Sequence, residues 1–207
     1  MTHTLHRKGT AENLANDYVV FAITAQTVNA KGSAPKFAEF EKIVLKYNPV
    51  SYGDMRTGNQ FSVGMNAISG GYRDNSIVHA VFTNKEVVAQ VLKELAEANL
   101  GPSIVVSGLV EATRDCCHKA GIEPHTVEHS LGIHGRKEKL PEEEVLQINT
   151  MCGHGMVAFS LIEFLAEQVK NGKMSSEAAA LQLAKQCHCG VFNPTRGAEI
   201  LQLMAQK

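Results

Sequence analysis

The sequence predicts a mixed α/β or α+β fold that is followed by a helical C-terminal subdomain. Short apolar runs rich in β-formers alternate with helically spaced apolar residues through the first two-thirds of the chain. The pattern changes at Gly135, and from there nearly every segment has helical spacing. These observations predict a flexible N-terminal tail over residues 1–15, an α/β domain over 16–135 and a helical subdomain over 136–207.

Each element of the α/β part has its own local signal. A glycine-rich stretch over residues 53–71 indicates loops around one or two weak strands. The order of elements is compatible with a small mixed or parallel sheet, including a ferredoxin-like arrangement. The predicted strands cover residues 18–24, 76–82, 103–107 and 125–131, and the predicted helices cover 35–47, 85–98 and 110–120.

Composition excludes several classes of protein. The chain has 207 residues, a formal net charge of -1 and 44% hydrophobic residues, which is an ordinary globular balance. Lysine and arginine are dispersed, so we expect no nucleic acid and no membrane partner. The first residues lack the apolar core of a secretory signal, so we expect a cytoplasmic protein. The sequence does not predict an oligomeric state.

The five cysteines point to metal or redox chemistry. An odd number in an apparently intracellular chain argues against a disulfide framework. Three of them occur in the segments Cys152-Gly153-His154-Gly155 and Cys187-His188-Cys189-Gly190. These segments flank one predicted helical hairpin, so we expect them to meet in space. A helix predicted to start soon after Cys152 would also lower the pKa of its thiol.

Three thiolates and nearby histidines predict a metal centre. An iron–sulfur cluster on Cys152, Cys187 and Cys189 is the first choice, with histidine, substrate or another cysteine as the fourth ligand. Zinc with His154 or His188 as the fourth ligand is the second choice, because the spacing is not that of paired zinc knuckles. The alternative is that the cysteines are reduced, partly buried and inert.

Several other side chains are weaker candidates. His154 and His188 are the predicted proton carriers, while Arg196, Arg56 and Asn59 are predicted to bind an anionic substrate. Cys116 and Cys117 are adjacent in a predicted helix, point apart and are expected to lie outside the site. His125 and His129 share one face of a predicted strand, and His134 follows it. These three histidines are either ligands or solvated side chains.

The leading hypothesis is a metal- or iron–sulfur-dependent enzyme that acts on a small anionic molecule by lyase or oxidoreductase chemistry. One alternative is a thiol redox protein that uses Cys187 and Cys189, with Cys152 as the resolving thiol. Another is a non-catalytic sensor or binding module with a structural metal. The sequence lacks the glycine-rich phosphate-binding and nucleophile-elbow motifs, which argues against nucleotide-binding and serine-hydrolase functions.

Overall fold

The fold is described from a computed structural model, which covers residues 3–207. Met1 and Thr2, which belong to the predicted tail, lie outside the described residues. The strands are β1 (Tyr18–Ile23), β2 (Ser51–Asp54), β3 (Gly58–Asn59), β4 (Val78–Phe82) and β5 (Ser103–Ser107). The helices are α1 (Ala11–Leu14), α2 (Ala34–Leu45), α3 (Met65–Ser69), α4 (Lys85–Ala98), α5 (Val110–Lys119), α6 (Glu143–Asn149), α7 (Phe159–Lys170), α8 (Ser176–Gln186) and α9 (Pro194–Ala205).

The five strands form one antiparallel sheet in the order β3-β2-β4-β1-β5. Helix α2 joins β1 to β2, and β4 pairs between those two strands. Helix α4 joins β4 to β5, and β1 pairs between them. This interleaving is the ferredoxin-like arrangement, extended at one edge by β3. The mixed α/β prediction is therefore confirmed, and the parallel-sheet alternative is wrong.

Helices cover both faces of the sheet because apolar side chains alternate along the strands. Tyr18 and Val20 of β1 belong to one core, shared with α2, α4 and α5. Val19 and Phe21 face the other way and belong to a second core, shared with α6 to α9. The C-terminal helical part is thus a layer on the second sheet face. In the described part of the chain, no helix is long and apolar enough to cross a membrane.

The N-terminal segment packs against the body from His3 onward, in contrast to the predicted flexible tail. The Thr4 hydroxyl lies 2.5 Å from that of Ser107, and both could donate. Arg7 forms an ion pair with the buried Asp17 and also donates to the carbonyl of Val191. Ser107 and Val191 lie more than 100 residues away in sequence, so local polarity alone gave no sign of the packing.

The strand predicted over residues 125–131 is wrong. Within the described chain this segment has no strand pairing, and Leu131 is 86% exposed. Val127 and Leu131 are its only large apolar residues, which is too little to cover a sheet face. Consequently the three candidate histidines nearby are exposed and lie on an irregular loop: His125, His129 and His134.

Candidate metal and thiol site

The site is built from two loops of the C-terminal layer. Cys152 lies in the turn after α6, and Cys187 and Cys189 lie between α8 and α9. Their residues are 1%, 0% and 1% exposed, respectively. Cys152 and Cys187 each shift the pKa of the other thiol, and so do Cys187 and Cys189, which indicates that neighbouring thiols of this set lie close together. We call the three the thiol triad.

Strand β2 holds the second loop by direct backbone contact. Gly190 has a φ of 77°, and a Cβ there would lie 2.7 Å from the amide nitrogen of Gly53. A Cβ at Gly53 would likewise lie 2.7 Å from the Cys189 carbonyl oxygen. The buried Ser51 hydroxyl donates to the Gly190 carbonyl over 2.8 Å. Glycine at both positions therefore lets the cysteine loop lie flat on the strand.

Asn59, predicted to bind substrate, instead holds the cysteine loop. Its amide nitrogen donates to the carbonyls of Lys185 and Cys187 over 3.2 and 3.0 Å. Its amide oxygen accepts hydrogen bonds from the backbone of Phe61 and Ser62. Asn59 is 0% exposed, and its polar atoms are engaged in these internal bonds. It is therefore a positioning residue for the triad.

The three thiols differ in acidity. The hydrogen bond to Cys187 and then burial raise the pKa of Cys152. The bond from Cys152 lowers the pKa of Cys187, but its bond to Cys189 and its burial outweigh this and raise it to about 12. The hydrogen bond from Cys187 lowers the pKa of Cys189. Cys189 is therefore the thiol that ionises first.

The predicted low pKa of the Cys152 thiol is wrong. Helix α7 begins at Phe159, so its N-terminus lies well past Cys152 in sequence. Helix dipole effects fade within the first turn of a helix. The nearer helix is α6, which ends at Asn149 and presents its C-terminal end. Burial and the hydrogen bond to Cys187 therefore determine the acidity of Cys152.

A group of three histidines adjoins the thiol triad. His154 Nδ1 lies 3.7 Å from Cys189 Sγ, and the His154 ring stacks on His3 with centroids 4.9 Å apart. His3 Nε2 lies 3.0 Å from Nε2 of His79, which is completely buried on β4. We call His3, His79 and His154 the imidazole group.

The sequence analysis did not identify two members of the imidazole group, His3 and His79. His79 alternates with the apolar residues of β4, and a polar residue inside a buried strand was a usable signal. His3 offered no such signal, because its position depends on how the N-terminal segment packs. Burial lowers the pKa of His3 to about 4 and lowers that of His79 well below its ordinary value. Both rings are therefore neutral at physiological pH.

Of the remaining predicted site residues, one is buried in an ion pair and two are exposed. Arg196 is 0% exposed, and its guanidinium pairs with Asp17 over 2.9 Å. Its Nε also donates to Asn13 over 2.6 Å, so the observed role of Arg196 is an internal ion pair and not an open anion site. Arg56 and His188 are exposed, and His188 lies between two buried cysteines. Substrate binding by Arg56 stays a prediction.

Cys116 and Cys117 lie on the opposite side of the sheet. Both belong to the core formed by α2, α4 and α5, whereas the thiol triad belongs to the other core. Cys116 Sγ donates to the Lys85 carbonyl over 3.2 Å. The two thiols are thus separated from the triad by the sheet, in agreement with the prediction.

The triad and the imidazole group place soft sulfur and neutral nitrogen donors side by side. These are the atoms that zinc, iron and copper prefer. Among residues 3–207, no group of three or more His, Cys, Asp or Glu side chains is placed to hold a metal ion. No family model, curated protein or solved structure matches the chain. The functional argument therefore rests on the chemistry of these side chains.

Proposed function

We propose that the protein is a metal- or iron–sulfur-dependent enzyme whose centre is held by Cys152, Cys187 and Cys189. The observations that carry the proposal are the burial of three thiols from two separate loops and the mutual shifts of their pKa values. A cysteine that only packs in a core does not need other thiols nearby, whereas a thiophilic metal requires several thiolates close together. Metal binding would displace the thiol protons and relieve the cost of burying three partly paired thiols.

An iron–sulfur cluster is the first choice and zinc the second. Three cysteine ligands leave one position of a cluster open for histidine or substrate. His154 is the candidate histidine, with Nδ1 3.7 Å from Cys189 Sγ. Zinc would complete its four ligands with the same histidine. Either centre would act as a Lewis acid or exchange electrons, which suits lyase or oxidoreductase chemistry.

The substrate side of the proposal is a small anionic molecule at the exposed edge of the centre. His154 is exposed and lies beside Cys189, so it is placed to move a proton between solvent and a bound molecule. Arg196 and Asn59 form hydrogen bonds inside the protein. The metal and Arg56 are therefore the candidates for binding the negative charge of the substrate.

Metal analysis of anaerobically purified protein tests the proposal. The wild type should contain iron with acid-labile sulfide, or zinc, and Cys187→Ser should lose it. Cys117→Ser is the matched control, because that buried thiol lies on the other side of the sheet and should leave metal content unchanged. A wild type without iron or zinc, or a Cys187→Ser variant that keeps its full metal content, refutes the proposal.

A thiol redox function is the second candidate, and the hydrogen bond between Cys187 and Cys189 favours it. The ionised Cys189 would attack a disulfide substrate, and Cys187 would then close the bond. Two thiols lose two protons and two electrons, and the disulfide is reduced to two thiols. Incubation of metal-free protein with oxidised glutathione tests this. A Cys187–Cys189 bridge in peptide mass spectra supports it, and three free triad thiols contradict it.

A further inference from the structure

The imidazole group lies on elements that are largely distinct from those of the thiol triad. His3 comes from the N-terminal segment, His79 from β4 and His154 from the turn after α6. We propose that these three side chains bind a divalent ion of the zinc, cobalt and nickel class. His154 is also the candidate fourth ligand of the centre in the proposed function, so the ion would take His154 when the thiol centre does not use it.

Ring spacing is the first argument. Imidazoles on one tetrahedral ion at a metal–nitrogen distance of about 2.0 Å have ring centroids roughly 5 Å apart. The His3 and His79 centroids are 5.1 Å apart, and those of His3 and His154 are 4.9 Å apart. Both pairs therefore already have the spacing of rings that share an ion.

Two separate pairs of donor atoms also lie near ligand spacing. Two nitrogens on one tetrahedral ion lie about 3.3 Å apart, and a nitrogen and a sulfur about 3.6 Å apart. The Nε2 atoms of His3 and His79 are separated by 3.0 Å, and His154 Nδ1 and Cys189 Sγ by 3.7 Å. Small shifts of a few tenths of an ångström would bring each pair to ligand spacing. Cys189 or water would then take the fourth position.

A buried unpaired atom gives independent support. His79 is 0% exposed, and its Nδ1 has no hydrogen-bond partner among residues 3–207. The ring lies beside the carbonyls of Cys189 and Gly53. An ion on Nε2 would fix the ring proton on Nδ1. Metal-bound histidines commonly donate their second N–H to such a carbonyl.

The ion would replace an existing contact. His3 and His79 now share one hydrogen bond between their Nε2 atoms, and in the described chain no group of three or more such side chains is placed to hold a metal ion. Breaking that bond and turning His154 toward the pair would assemble the site. His154 is exposed, so its ring can turn without disturbing the core.

Cobalt titration of untagged, full-length protein tests the inference. The parent is the Cys152→Ser/Cys187→Ser variant, which lacks two triad thiols and separates this site from the proposed cluster site. It should bind one Co²⁺ per chain with the visible spectrum of tetrahedral cobalt. His3→Ala and His154→Ala should each weaken binding at least about 100-fold, because even loss of an outer partner costs 10–100-fold.

Two exposed histidines outside the group supply matched controls. His125→Ala and His134→Ala should bind Co²⁺ like the parent. If the double cysteine variant does not fold by circular dichroism, the same four histidine substitutions are compared in the wild type. Equal affinities in all four variants, or a parent that binds no cobalt, overturn the inference. A site that survives loss of the triad thiols supports it even if no iron or zinc is found in the purified protein.

Discussion

Asp17 is the centre of a buried charge network, and Asp17→Asn should destabilise the protein strongly. Its carboxylate accepts from Arg7 and Arg196, and Asn193 donates to it over 3.1 Å. The side chains of Asp17 and Arg196 are 0% exposed, and that of Arg7 is 6% exposed. Asparagine keeps the shape but removes the charge, so two buried guanidinium groups lose their counter-ion.

The size of the effect follows from this burial. Removing one partner of a buried ion pair costs about 3–5 kcal/mol, because the remaining charge stays buried without compensation. A domain of this kind has a total stability of about 5–15 kcal/mol. Urea unfolding followed by circular dichroism should therefore show a midpoint lowered by about 1–2 M with an unchanged slope.

Asp115→Asn is the matched control. Asp115 also pairs with two cations, Lys85 over 2.9 Å and Lys119 over 3.1 Å, but its side chain is 38% exposed. Solvent screens such pairs, so its unfolding curve should nearly overlay that of the wild type. If Asp17→Asn loses less than about 1 kcal/mol, the network does not act as a buried ion cluster. An open anion-binding role for Arg196 would then regain support.

Three further perturbations test the site and its surroundings. Gly190→Ala should lower the free energy of unfolding in urea more than Gly172→Ala does. Both glycines have a positive φ, which alone costs roughly 1–3 kcal/mol for alanine, but only at Gly190 would the Cβ meet backbone, 2.7 Å from Gly53. Equal losses would contradict the close backbone contact. Gly153→Ala should release the N-terminal segment, because its Cβ would lie 1.3 Å from the His3 carbonyl oxygen. Trypsin should then cleave after Arg7 faster in this variant than in the Gly155→Ala control. Equal cleavage rates would contradict this packing. Hydrogen bonds from the amides of Gly32 and Ala34 lower the pKa of Asp74. The carboxylate therefore stabilises the fold above its unfolded pKa of about 3.9, and this effect is lost as pH falls through the lower folded pKa. The stability difference between wild type and Asp74→Asn should shrink below about pH 4, and a difference that grows there would contradict the prediction.

Elements whose signals are local were predicted well. Helix α4 has the predicted bounds because Asn84 caps it by accepting a hydrogen bond from the Glu86 amide, and apolar residues recur along one face. Strand β5 has the predicted bounds because a Gly-Pro break precedes a β-branched run. The antiparallel pairing could not be read in this way, since strand direction depends on which strands become neighbours.

Chain connectivity decides which neighbours in the site the sequence can indicate. The three cysteines flank one helical hairpin, so their approach could be expected from the sequence. The ion pair of Arg196 could not, because its partner, Asp17, lies 179 residues away in sequence. An arginine near a cysteine cluster looks the same in sequence whether it faces a ligand or an internal carboxylate.

The same network ties the N-terminal segment to the thiol triad. Arg7, held by Asp17, donates to the carbonyls of Met151 and Val191. Met151 immediately precedes Cys152, and Val191 lies two residues after Cys189. One guanidinium therefore bridges the two loops whose spacing determines whether three thiolates can reach one metal. Asp17→Asn should thus lower metal retention as well as stability, whereas Asp115→Asn should change neither. A loss of stability with full metal retention would show that the network only stabilises the fold and does not position the site.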